Sequence, residues 1–154
     1  AGCRVLTTAS SDAKLAMAKA IGADVGINYK DVPEFSRAVM EHTGGQGVDL
    51  LYEHIGVAVF EQAYRSLKMG GRLVTNGVTS GHIVSLHLGR LWTREVSLIG
   101  STMHPAEDLH HMVPLLQRGD VHGVIDRVLP LKDAAEGHRV LESNDFFGKV
   151  VLAV

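Results

Sequence analysis

Short apolar runs rich in Val, Ile, Leu and Thr alternate along this chain with longer stretches of good helix formers. Residues 3–8, 25–28, 48–52, 72–75 and 96–100 read as strands. Helices are expected over 13–21, 33–42, 59–68 and 105–118, with a short turn over 88–94. A helix between two strands returns the chain to the sheet edge where it began, so the next strand runs in the same direction. The pattern therefore predicts an α/β domain with a doubly wound parallel sheet. Ser10, Ser11 and Asp12 offer N-caps for the first helix, and Gly22 closes it. Pro33 suits a first helical position, and Gly70-Gly71 is expected to stop the helix over 59–68. Beyond Gly119 the pattern changes. A strand over 127–129, a helix over 134–143 and a strand over 149–153 follow one candidate boundary at 119–126.

Composition narrows the function classes. A length of 154 residues, 45% of them hydrophobic and 21% charged, suits one globular domain with a core of its own. The net charge of −2 supplies no field that would gather nucleic acid or an anionic membrane surface. No apolar run approaches the roughly 18 residues of a membrane span. Cys3 is the single cysteine, so no internal disulfide forms and a reducing, cytoplasmic setting is expected.

In open parallel sheets, ligands bind beyond the carboxyl ends of the strands. That rule selects residues 9–14, 53–56, 76–81 and 100–104, most of which carry glycine or small polar residues. Glycine there permits close approach of a ligand to the backbone, or it serves the turn alone.

The segments Ala20-Ile21-Gly22-Ala23-Asp24, Ile27-Asn28-Tyr29, Thr43-Gly44-Gly45-Gln46-Gly47-Val48-Asp49, Gly70-Gly71-Arg72, Gly100-Ser101-Thr102-Met103 and Phe147-Gly148-Lys149-Val150-Val151 occur in this order. Together they resemble the medium-chain dehydrogenase/reductase superfamily, in particular its quinone-oxidoreductase-like and zinc alcohol-dehydrogenase-like members. The resemblance implies a Rossmann-type sheet that is incomplete at its N-terminus. A strand and a G-x-G-x-x-G turn opening a helix, which holds the cofactor pyrophosphate, are expected upstream of Ala1. That strand is central in the sheet, so a chain without it is expected to expose apolar surface. Residues 1–126 are then a partial NAD(P)-binding domain, and 127–154 a segment returning to a catalytic domain. Gly44-Gly45-Gln46-Gly47 does not replace the glycine loop, because it lies between a helix and the following strand, on the opposite edge.

The end of the first visible strand faces the adenosine ribose in such domains. NAD-specific members place a carboxylate there to accept the ribose hydroxyls. Here the strand runs out through Thr7-Thr8-Ala9-Ser10-Ser11 with no acid before Asp12. Ser10 and Ser11 can donate to a phosphate, and Lys14 supplies positive charge. In the resembling NADPH-dependent quinone reductases a matching lysine and tyrosine hold the 2′-phosphate, here Lys14 and Tyr29. NADP(H) is therefore expected over NAD(H), with Asp12 as the discordant residue. The resemblance further places Ile55 and Gly56 against the nicotinamide ribose. It sets Gly77, Val78, Gly100, Ser101, Thr102 and Met103 near the carboxamide, and Phe147, Gly148 and Lys149 on the returning segment.

Other constellations fail on spacing. The nine histidines include adjacent His110 and His111, which point about 100° apart on a helix. His82, His87 and His104 have no second ligand at a zinc spacing. No metal ligand is assigned in this chain, and zinc dependence of a parent enzyme stays open. Tyr64 and Lys68 match a Y-x-x-x-K pair, but no serine precedes them suitably and glycines follow at once. Ser80 stands one place off a G-x-S-x-G elbow.

The expected function is NADPH-dependent hydride transfer to a quinone, carbonyl or activated alkene, with this chain as the cofactor-binding part and inactive alone. No catalytic acid or base is assigned. The alternatives are the cofactor domain of a zinc-dependent alcohol dehydrogenase, or a non-catalytic nucleotide-binding or dimerisation fragment. The expected partners are a small-molecule substrate and a second copy paired through the strand over 96–100, with no nucleic acid or membrane.

Overall fold

The computed structural model describes residues 2–102 and 106–154. The chain divides into two compact units, residues 1–103 and 104–154. The first runs β1 (Leu6–Ala9), α1 (Asp12–Ala20), β2 (Val25–Asn28), α2 (Phe35–His42), β3 (Val48–Glu53), α3 (Phe60–Arg65), β4 (Leu67–Thr75), α4 (Leu88–Thr93) and β5 (Ser97–Gly100). Every strand pair is parallel, as the alternating pattern predicts.

The pairing forms two sheets, β1-β2 and β3-β4-β5, where the sequence led us to expect one. Among the described residues β1 and β3 each pair with a single strand. In the strand order of a dinucleotide fold, the first strand lies between the second and the fourth. The two halves still touch through helices. Gln62 Oε1 on α3 accepts the Ser36 hydroxyl at 2.6 Å and the Ser36 backbone N–H at 3.1 Å on α2.

The core sits on one face of the three-stranded sheet. Successive strand residues point to opposite faces, and the register lines Leu51, Leu73 and Leu98 up on one of them. Against that face α3 presses Ala63 and Tyr64, each only 1% exposed, beside Leu67 and Val96. The opposite face carries Leu50, Tyr52 and Ile99, all exposed.

Two local expectations need correction. α2 begins at Phe35, because Glu34 at φ −88° and ψ 63° is not helical, and Pro33 precedes the helix. α3 ends at Arg65, and Gly70-Gly71 lies inside β4. Leu67 is buried and pairs with Val48, so the strand starts early. The register then slips before Leu50 meets Arg72. Residues 68–71 form that irregularity, and Gly70 takes φ +70° within it. The glycines shape a bulge instead of stopping the helix. Gly44-Gly45-Gln46-Gly47 is a turn. A Cβ on Gly47 would stand 2.6 Å from the Ser66 carbonyl oxygen.

The second unit holds α5 (Ala106–Gln117), β6 (Ile125–Pro130), a 3-10 turn, α6 (Ala134–Ser143) and β7 (Lys149–Ala153). β6 and β7 are parallel, and Gly137 of α6 packs beside Leu129, Val150 and Leu152. Among the described residues, no helix is long and apolar enough to cross a membrane.

Candidate functional site

Ala9, Asn28, Glu53, Thr75 and Gly100 end the five strands of the first unit on the carboxyl side. Two clusters form there.

The first lies beyond β1 and β2. The Tyr29 N–H donates to the Ala9 carbonyl at 3.1 Å and holds the two strand ends together. Ser11 is the N-cap of α1: its hydroxyl oxygen accepts the Lys14 N–H at 3.4 Å. Ser10 and Lys14 are half-buried, and the Tyr29 ring is exposed. Asp12 belongs to the same edge, where the Asn28 side-chain amide donates to its carboxylate at 3.2 Å. The structure therefore brings Ser10, Ser11, Lys14 and Tyr29 to one strand edge. It also sets a carboxylate among them, which is unfavourable for a second anion.

The second cluster lies beyond β3, β4 and β5. Glu53, only 7% exposed, turns its carboxylate back under its own loop. Its Oε2 accepts the N–H of Ile55 at 3.0 Å and of Gly56 at 2.8 Å. The Ile55 carbonyl accepts the Ser80 N–H and the Ser80 hydroxyl, both at 2.7 Å. The Ser80 hydroxyl oxygen in turn accepts the Ala58 N–H at 3.0 Å. The loops after β3 and β4 are thus bonded to each other through Ser80.

That interlock separates the glycines by cause. Gly56 has φ +92°, and a Cβ there would stand 2.3 Å from the Gly81 carbonyl oxygen. A Cβ on Gly77 would stand 3.0 Å from the His54 carbonyl oxygen. Contacts within the protein account for both. Gly100 has no positive φ, and a Cβ there would meet nothing within 4 Å. It lines a shallow cavity of about 380 Å³ with Thr75, Gly77, Val78, Ser101 and Thr102. Neither the backbone nor internal packing requires glycine at 100. A glycine with open space around it leaves room for close approach of a ligand to the ends of β4 and β5.

Met103 lies outside the described residues. Phe147, Gly148 and Lys149 belong to the second unit. There the Phe147 N–H donates to Asp126 at 2.9 Å, and a Cβ on Gly148 would meet the Val124 carbonyl oxygen at 2.4 Å. Glu53 and Ser80 were not among the residues assigned to the site from sequence. An acid ending an apolar strand three residues before a glycine was the available signal for Glu53. Ser80 lies in the strand-end segment 76–81 that the sequence selects, but its tie to the other loop was not legible, because its partners lie 22 and 25 residues away.

The rejected motifs are placed as follows. Tyr64 is buried in α3, where burial pushes its phenol up, away from proton transfer at neutral pH. Lys68 is on β4 and pairs with Asp49. Among the described residues, no three His, Cys, Asp or Glu side chains come together as a metal site. A larger depression of about 620 Å³ opens on α3 and α4, among Tyr64, Arg65, Arg90 and Trp92, and no strand-end residue lines it.

A parallel α/β fold with two clusters at its strand ends defines a nucleotide-binding domain of the dehydrogenase type. Residues 1–118 match the family model described as zinc-binding dehydrogenase, and the chain belongs to that family, within the medium-chain dehydrogenase/reductase superfamily. A zinc-type alcohol dehydrogenase-like protein of Schizosaccharomyces pombe is 30% identical over the whole chain, which covers 46% of that relative. The crystal structure of an NAD-dependent alcohol dehydrogenase is 40% identical with a TM-score of 0.90, over 99% of this chain and 44% of that one. A mycobacterial protein solved in complex with NADPH is 29% identical with a TM-score of 0.81, over 99% of this chain and 50% of that one. The chain spans about half the length of these proteins. The chain carries the Rossmann-type α/β fold of this family.

Proposed function

We propose that this chain serves an NADPH-dependent oxidoreductase that transfers hydride to a quinone, a carbonyl or an activated alkene. The observation that carries the cofactor choice is the end of β1. It reaches Ala9 without an acid, and Ser10, Ser11, Lys14 and Tyr29 gather beside it. These side chains would hold the 2′-phosphate by charge and hydrogen bonds. The loops at 54–56 and 77–81 and the cavity at Gly100 would take the nicotinamide half. The cofactor supplies the hydride chemistry, and this chain's residues bind and orient it.

On this reading residues 1–126 are the partial cofactor domain, and residues 127–154, with Phe147, Gly148 and Lys149, return toward a catalytic domain. A small-molecule substrate would bind there, in a cytoplasmic enzyme without nucleic-acid or membrane partners. β5 is an edge strand with all four residues exposed, and a second copy would pair with it across a two-fold axis. The 154 residues alone are expected to oxidise no NADPH with any quinone, and measurable turnover would contradict this.

A second reading, NAD(H), is favoured by Asp12 at the phosphate edge and by the similarity to the NAD-dependent alcohol dehydrogenase. Calorimetric titration with 2′,5′-ADP and 5′-AMP separates the two. Tighter binding of 2′,5′-ADP supports NADPH, and equal or weaker binding removes its basis.

A further inference from the structure

We propose that Glu53 is a positioning residue for the nicotinamide half of the cofactor, acting through the loop at 54–58. The inference rests on the reading of this strand edge as the nicotinamide side.

Carboxylates are seldom buried without a partner. Glu53 is 7% exposed, and among the described residues no lysine, arginine or histidine forms an ion pair with it. Its partners are two backbone amides of its own loop, those of Ile55 and Gly56. Hydrogen bonds to an ionised acceptor are shorter and stronger than neutral ones. The carboxylate therefore fixes the direction of two successive peptide planes. Ser80 does the complementary work: its N–H and hydroxyl both bond the Ile55 carbonyl. Every main-chain polar group of residue 55 is satisfied inside the protein. What the loop can offer a ligand at this position is the half-buried Ile55 side chain, held at a fixed height by bonds on both sides of its Cα. This is recognition of a ring or ribose by an apolar wall. It also explains why the N–H groups of 55 and 56 donate nothing outward.

The probes are reduced nicotinamide mononucleotide and 2′,5′-ADP, titrated into the 154-residue chain and its Glu53→Gln variant. A glutamine keeps the size but offers a neutral oxygen and an N–H that opposes the two amides. Affinity for the mononucleotide is expected to fall about fivefold while 2′,5′-ADP binding stays within about twofold. The amide protons of Ile55 and Gly56 should move upfield as their charged acceptor is lost. Ser80→Ala keeps the carboxylate and removes the tie across the loops. It is expected to weaken the mononucleotide less, again without touching 2′,5′-ADP, and it serves if Glu53→Gln fails to fold. Unchanged mononucleotide affinity in both variants overturns the proposal and leaves the nucleotide reading intact. Parallel weakening of both probes assigns Glu53 a general structural role and also overturns it. Failure of the folded, unsubstituted chain to bind the mononucleotide overturns the nicotinamide-side reading itself, and the proposal with it.

Discussion

At the ends of β1 and β2 the exposed and half-buried groups are side chains with chemistry of their own, a hydroxyl, an ammonium and a phenol from Ser10, Lys14 and Tyr29. At the ends of β3, β4 and β5 the surface is made by two loops whose peptide groups bond Glu53, Ser80 and each other. On the proposed function, the first edge would recognise through the kind of residue present, the second through the shape that hydrogen bonds and glycines enforce. Substitutions should therefore behave in opposite ways. Those at the β1–β2 edge should change affinity and spare stability, and those within the β3–β4 loops should change stability first.

The largest expected effect is at Gly56. Alanine there needs φ +92° and a Cβ 2.3 Å from a carbonyl oxygen. It should destabilise the chain by about 2–4 kcal/mol, read by urea unfolding. Gly100→Ala meets no atom within 4 Å and should leave stability within about 0.5 kcal/mol. Equal losses at the two glycines would erase the distinction drawn between them. Next, Lys14→Ala should lower affinity for 2′,5′-ADP about tenfold and leave 5′-AMP within about twofold, measured by calorimetry. A smaller change is expected from Asp12→Asn. Removing one negative charge at the phosphate edge should raise 2′,5′-ADP affinity about threefold.

The smallest effect is one of pH. The Lys68 ammonium beside Asp49 holds its carboxyl below the usual carboxylate range. The Phe147 N–H and then the Arg127 guanidinium do the same for Asp126. The unfolded chain binds protons at these sites at a higher pH than the folded chain does. Their stabilisation is therefore complete above about pH 4, the unperturbed value, and is lost as pH falls through the depressed values. Both carboxylates lie at exposed or rim positions, so the loss should be slight. Melting curves of Asp49→Asn should differ least from those of the unsubstituted chain at the acid end.

The alternation of strand and helix was legible because parallel strands and helical crossovers impose different hydrophobic periods. Val25–Asn28, Ala134–Ser143 and Lys149–Ala153 fall where the sequence pattern puts them. The end of α3 was not legible. Gly70-Gly71 looks like a helix stop in sequence, whereas the burial of Leu67 against Val48 draws the chain into a strand earlier. In the candidate site, Ser10, Ser11 and Lys14 were picked out by residue chemistry at a strand end and Tyr29 by the family resemblance, and the structure places all four at the ends of β1 and β2. The interlock of Glu53, Ile55 and Ser80 was not legible, because it joins residues about 25 positions apart through backbone groups that carry no sequence signal.

On the proposed function, both strand edges of this chain belong to one dinucleotide site. Assigned amide spectra recorded during an NADPH titration test that most directly. The expected result is that residues 10–14 and 28–30 shift together with 53–58, 75–81 and 100–102, while 2′,5′-ADP moves the first group alone. Shifts confined to one edge, or centred on the depression between α3 and α4, would contradict it.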